Sequence, residues 1–242
     1  MTTLTLSTLR RGARDVAREH RVEVLTATAT VALFAFYYVA RADLVGSRGA
    51  DGTWLAVSAP AREPFLHFLF SALLLGAAPV AVGHWICGLR LRDLGLGLGD
   101  VRRGLLWLAI GIPVAMLAGW MGASSPTMQA VYPLDPAVTA TPASFIPHAM
   151  RNLMYFGAWE VLFRGVLLFG LRGAVGAGGA NAGQTSFSVL AHFGRPMTET
   201  FSAIPAGFAF GGIALHTRSV WYVAIIHWTV GMSMDWFILA GG

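Results

Sequence analysis

Seven apolar runs, at residues 22–40, 65–88, 104–122, 145–171, 185–194, 200–216 and 219–240, occupy most of the chain. A helix that crosses the ~30 Å hydrocarbon core of a bilayer needs about 20 mostly apolar residues, and every run except 185–194 approaches or exceeds that length. The short run predicts a partial or tilted helix. Its ends must be covered by protein or by a water-filled cavity, because lipid offers the backbone no hydrogen-bond partner. Charged residues are 12% of the 242 and hydrophobic residues 55%, against roughly 25% charged in a soluble domain, which excludes an ordinary soluble fold. These runs predict an all-α, polytopic membrane helix bundle of about six to seven helices, built as one integral membrane domain.

All 17 basic residues are arginine, and Arg10, Arg11, Arg14, Arg18 and Arg21 crowd the stretch before the first run. Beside apolar spans such a cluster reads as a topology signal, so residues 1–21 are expected to be a basic cytoplasmic tail and no nucleic-acid partner is expected. The run 22–40 is long for a signal peptide and Ala40-Arg41-Ala42 is a weak cleavage site, so it is read as a retained first span. Segment 90–103 carries four arginines and segment 124–144 none. The positive-inside rule then puts 90–103 and 172–183 in the cytoplasm. The loop holding Pro126, Pro133, Pro136 and Pro142 lies outside, in a multi-pass protein of the cell membrane whose N-terminus is cytoplasmic. Arg41, Arg48 and Arg62 in the first loop run against this pattern. A reporter fused after Asp135 should read as extracytoplasmic, and a cytoplasmic signal there overturns the map.

Residues 173–183 (GAVGAGGANAG) are expected to form a flexible connector, since glycine and alanine offer little side chain to pack. Residues 91–99 (LRDLGLGLG) suit an interfacial segment feeding the third span. No internal repeat is visible, so an inverted-repeat transporter finds no support. Cys87 is the only cysteine; it excludes an intramolecular disulfide and a cysteine metal cluster, and reads as a small core residue.

Placing a charge inside a span costs at least about 2.5 kcal/mol, so ionisable groups there are functional candidates. Glu160 and Arg164 lie in the fourth run at i, i+4, on one helix face, where each lowers the other's burial cost. A purely structural ion pair is the competing reading. His192 ends the short run and His227 lies inside the last. A carboxylate and a neutral imidazole converging on one water form a general base, and a second imidazole can donate to a developing oxyanion. Together they could hydrolyse an amide without metal. Two histidines and a glutamate are also a hydrolytic zinc set, but no H-E-x-x-H occurs and each ligand would come from a different helix, so metal is the minority reading.

Glu160-Val-Leu-Phe-Arg164-Gly165, then His192 followed by Phe-Gly-Arg-Pro and Glu199, then the closing Ser219-Val-Trp-Tyr-Val-Ala-Ile-Ile-His227 form three blocks within residues 155–235. They resemble the CAAX-protease and bacteriocin-processing family of intramembrane glutamic endopeptidases. The resemblance implies an all-helical membrane fold around a conical internal cavity, with no cofactor. It also implies a glutamate and a histidine that activate water, and a second histidine that forms the oxyanion hole with an asparagine. Glu160 and Arg164 match the second Glu and the Arg of the family's first block. Its first Glu, taken as the water-activating one, is Trp159 here. Where the second block has Phe four residues before its His, this chain has Ser188. Where the third has Asn four residues after its His, it has Gly231.

Three functions stay open at this point. The first is an intramembrane endopeptidase cutting a membrane-associated protein or peptide, such as one with a hydrophobic C-terminal sorting tail, with Glu160 and His192 as base, His227 as oxyanion donor and Arg164 in support. The second is a catalytically silent relative acting as a peptide-binding, immunity or regulatory membrane protein, favoured by Trp159 and Gly231. The third is a small transporter or channel relaying protons or ions through the buried cluster.

Overall fold

The computed structural model describes residues 15–40 and 64–241, and every regular element among them is helical. Helix α1 (Arg21–Ala35) continues as a π-helical turn to Ala40. Helix α2 covers 64–86, alternating α-helical and wider π-helical segments. A 3₁₀ turn (Leu91–Leu94) leads into α3 (Val101–Ala123), and a proline-rich loop into α4 (Pro142–Glu160). The chain stays helical through a π-helical segment (Val161–Phe169) and α5 (Gly170–Ala191), and ends with α6 (Met197–Thr217) and α7 (Trp221–Gly241). Arg10, Arg11 and Arg14 of the basic tail and Arg41, Arg48 and Arg62 of the first loop lie outside the described residues.

Local chemistry marks the boundaries. The Asp100 side chain accepts from the Arg103 backbone N–H at 3.1 Å and caps α3, satisfying one of the four amides a helix start leaves open. Pro142 opens α4 at the first helical position, where the missing N–H costs nothing. Among the described residues, four helical stretches are long and apolar enough to cross a membrane: 68–86, 101–123, 142–191 and 221–241. Helix α1 is not one of them, although it forms where the first run predicts a helix. Its Leu25, Ala29, Ala32 and Phe36 form the stripe that packs on the core.

Helices α3 and α7 form the most extensive packing in the molecule, and small residues make it. A Cβ at Gly104 would enter the Tyr222 ring, one at Gly111 would lie 2.5 Å from Ile226 Cδ1, and one at Gly119 would lie 2.8 Å from the Met234 backbone nitrogen. Close backbone approach through glycine is how membrane helices associate where no hydrophobic driving force separates them from lipid. The other face of α3 exposes Leu105, Ile110, Val114 and Leu117, as a lipid-facing surface would. Helix α4 packs between α7 and α2, and α5 against α6.

The connector expected at 173–183 is helical on both sides of a break at Gly176 (φ 75, ψ 163), and the chain turns back across it, since the Trp159 and His192 rings lie 5.4 Å apart. Gly173, Gly178 and Gly183 have no neighbour near their Cβ positions, so packing does not enforce the helix. The short run 185–194 is the end of α5. Residues 157–171 are buried on every face, so the end of α4 and the π-helical segment lie at the centre of the bundle.

Candidate functional site

Glu160 ends α4 where the helix widens into the π-helical segment, a geometry that often accompanies functional sites. Its side chain is 0% exposed. One oxygen, Oε1, accepts from Arg164 Nη1 at 3.1 Å and from His227 Nδ1 at 2.7 Å. The i, i+4 spacing thus delivers the expected ion pair, and α7 adds the imidazole. Arg164 also lies over the Phe210 ring of α6, 5.5 Å from its centroid. His227 sits between Phe156 and Phe210, at ring separations of 4.7 and 5.3 Å. Four elements therefore meet at this charge cluster.

His192 lies at the end of α5, and its Nδ1 donates to the Ser188 carbonyl at 2.6 Å. A carbonyl only accepts, so Nδ1 carries the proton, and in the neutral ring Nε2 carries the lone pair. His227 is held the same way, by Glu160. Both histidines therefore have Nδ1 committed to a protein oxygen and Nε2 left as the working nitrogen. The structure brings Glu160 to His227 rather than to His192. The carboxylate beside His192 is Glu199 of α6, with Oε1 3.9 Å from Nε2. Tyr132, in the loop before α4, reaches both Glu199 oxygens at 2.9 Å. Burial, and then the neighbouring Glu199 charge, push its phenol well above the ordinary range, so it remains a donor.

Trp159 and Gly231 explain how the two motif departures are accommodated. The Trp159 indole is buried and packs on Phe36, Tyr155, Phe163 and edge-on to His192, the last at 5.4 Å. It fills the ground beside His192. A Cβ at Gly231 would lie 2.6 Å from the Phe156 ring, so an aromatic ring stands where an asparagine side chain would project. Three buried polar atoms here, Trp159 Nε1, Glu160 Oε2 and Arg164 Nε, have no protein partner among the described residues. Unpaired buried groups cost about 1–3 kcal/mol each and are rare, so three at one site mark a place suited to water or to a polar group of a bound chain.

Sequence reasoning missed two features. His148 is buried, with Nε2 2.8 Å from Asp235 Oδ2 and Asn152 beside it. Asp235 therefore braces α4 against α7. The second is Glu199, which stands opposite His192. The available signal was its spacing of seven residues from His192, about the length of one tight turn between two helices. Among the described residues, no three His, Cys, Asp or Glu side chains converge as metal ligands would.

Residues 142–233 match the family model for Type II CAAX prenyl endopeptidase Rce1-like proteins. The stretch runs from the start of α4 into α7 and contains Trp159, Glu160, Arg164, His192, His227 and Gly231. It is a protease family, and the match supports peptidase chemistry at that level. No curated protein and no solved structure matches the chain.

Proposed function

With residues 142–233 carrying the pattern of the Rce1-like prenyl endopeptidases, we propose that this protein is an intramembrane endopeptidase. It hydrolyses a peptide bond of a membrane-anchored or hydrophobic-tailed protein, with water as nucleophile and no cofactor. The observation that carries the reading is the pair of part-buried imidazoles held by Nδ1, His192 on Ser188 and His227 on Glu160, each with Nε2 left over. Their environments differ in a way that separates roles. His227 bonds the carboxylate of the Glu160–Arg164 pair and is assigned the oxyanion side; His192 bonds a neutral carbonyl and serves as base. Glu160 then anchors His227, and Arg164 neutralises Glu160.

A second reading, a silent relative that binds a peptide or partner membrane protein, draws on Trp159 and on Phe156 occupying the space beside Gly231. Comparing the termini of membrane proteins in cells expressing wild type, His192→Ala or His227→Ala at matched levels separates the two. New termini that appear with wild type and vanish in both variants are the expected result. Identical termini in all three sink the protease reading and leave the binding one.

A further inference from the structure

His192 and Glu199 stand on the two sides of a turn whose geometry is fixed at several points. Gly194 takes a left-handed φ of 87°, and the His192 carbonyl accepts from the Arg195 N–H and the Thr200 hydroxyl, each at 3.0 Å. Tyr132 holds the Glu199 carboxylate from the opposite side, while Arg195 lies 5.8 Å from the Tyr132 ring centroid. The gap of 3.9 Å between His192 Nε2 and Glu199 Oε1 is too long for a hydrogen bond. With Nδ1 protonated, both facing atoms are acceptors. Two acceptors at that separation are matched by one molecule with two O–H donors, each about 2.8 Å from its acceptor. Such a water keeps its lone pairs free for attack. The site is also reachable, with side-chain exposures of 15% for His192 and 19% for Glu199 against 0% for Glu160.

We propose that Glu199 is the second half of the water-activating base with His192, supplying from α6 the carboxylate that position 159 lacks. The inference rests on the protease reading above. One O–H proton of the water passes to His192 Nε2 while Glu199 accepts the other O–H and orients the molecule. The hydroxide oxygen bonds to the scissile carbonyl carbon, whose oxygen becomes the oxyanion facing His227. Collapse of that intermediate breaks the C–N bond, and the leaving nitrogen takes the proton from His192, giving a carboxyl group and an amine. Tyr132 is a positioning residue that keeps the Glu199 carboxylate turned toward His192.

The test uses the full chain in proteoliposomes with two internally quenched peptides, one carrying an apolar C-terminal anchor and one a prenylated CAAX tail. Glu199→Gln keeps an acceptor for Tyr132 and therefore the local fold, and should lower kcat at least about 100-fold with KM unchanged. Glu199→Asp should recover part of that loss, and Tyr132→Phe should lose only about fivefold, the effect of one hydrogen bond. Wild-type cleavage by Glu199→Gln alongside an inactive His192→Ala would overturn the role of Glu199 and leave the protease reading intact. A loss in Glu199→Gln matched by an equal loss of folded protein would make Glu199 structural and overturn the proposal as well. A wild type that cuts neither peptide would remove the protease reading and this role together.

Discussion

Glu160→Gln should lose both processing and stability, whereas Glu160→Gln combined with Arg164→Leu should regain stability without regaining processing. Glu160 and Arg164 are 0% and 2% exposed and joined at 3.1 Å. Removing one member of a buried pair leaves the other charge uncompensated, which costs about 3–5 kcal/mol, while replacing both with neutral groups of similar volume is close to neutral. Gln still offers Oε1 to Arg164 and to His227 Nδ1, so the loss isolates the charge rather than the shape. The measurement is thermal unfolding in mixed micelles together with peptide cleavage. Recovery of both in the double variant would mean that the carboxylate serves only to neutralise Arg164. Failure of the double variant to recover stability would place the effect on the Glu160–His227 bond instead.

The helical membrane fold was legible because the bilayer imposes it. Runs of about 20 apolar residues and the scarcity of charge leave a helix bundle as the economical solution, and the structure places helices at every long run it describes. At 173–183 the connector that the glycine content predicts is confined to one position, the break at Gly176, with helix on both sides. The glycines of α3 carried a packing signal that could be read only with a partner in view, since Gly104, Gly111 and Gly119 matter because Tyr222, Ile226 and Met234 approach them.

The candidate site was legible in its members and not in its pairings. Spacing along one helix fixes Glu160 against Arg164, because i and i+4 share a face. Nothing in the sequence says which imidazole α7 or α5 will deliver to that carboxylate, since it depends on the rotation of three helices about their axes. Glu160 consequently met His227, and His192 met Glu199. The role of Tyr132 was invisible for the same reason: the loop that carries it and the start of α6 are 67 positions apart in the chain.

Restoring the family's missing glutamate by Trp159→Glu should therefore reduce processing rather than enhance it. The indole is in contact with Phe36, Tyr155, Phe163 and His192, and exchanging a core tryptophan for a much smaller side chain costs about 3–5 kcal/mol before the burial of a carboxylate is counted. Gly231→Asn meets a separate obstacle, because its Cβ would lie 2.6 Å from the Phe156 ring, and overpacking of that kind costs about 1–3 kcal/mol. Phe156→Ala should relieve the second clash and leave the first cavity untouched, since the two substitutions disturb different contacts. Unfolding midpoints should fall for both single variants and recover for Gly231→Asn when Phe156→Ala is added. Peptide cleavage in the same preparations separates the two functional readings. Loss in Trp159→Glu fits a site rebuilt around the indole, with Glu199 as its carboxylate. Cleavage above wild type would mean that the indole plugs a silenced centre, and that the natural protein binds its peptide without cutting it.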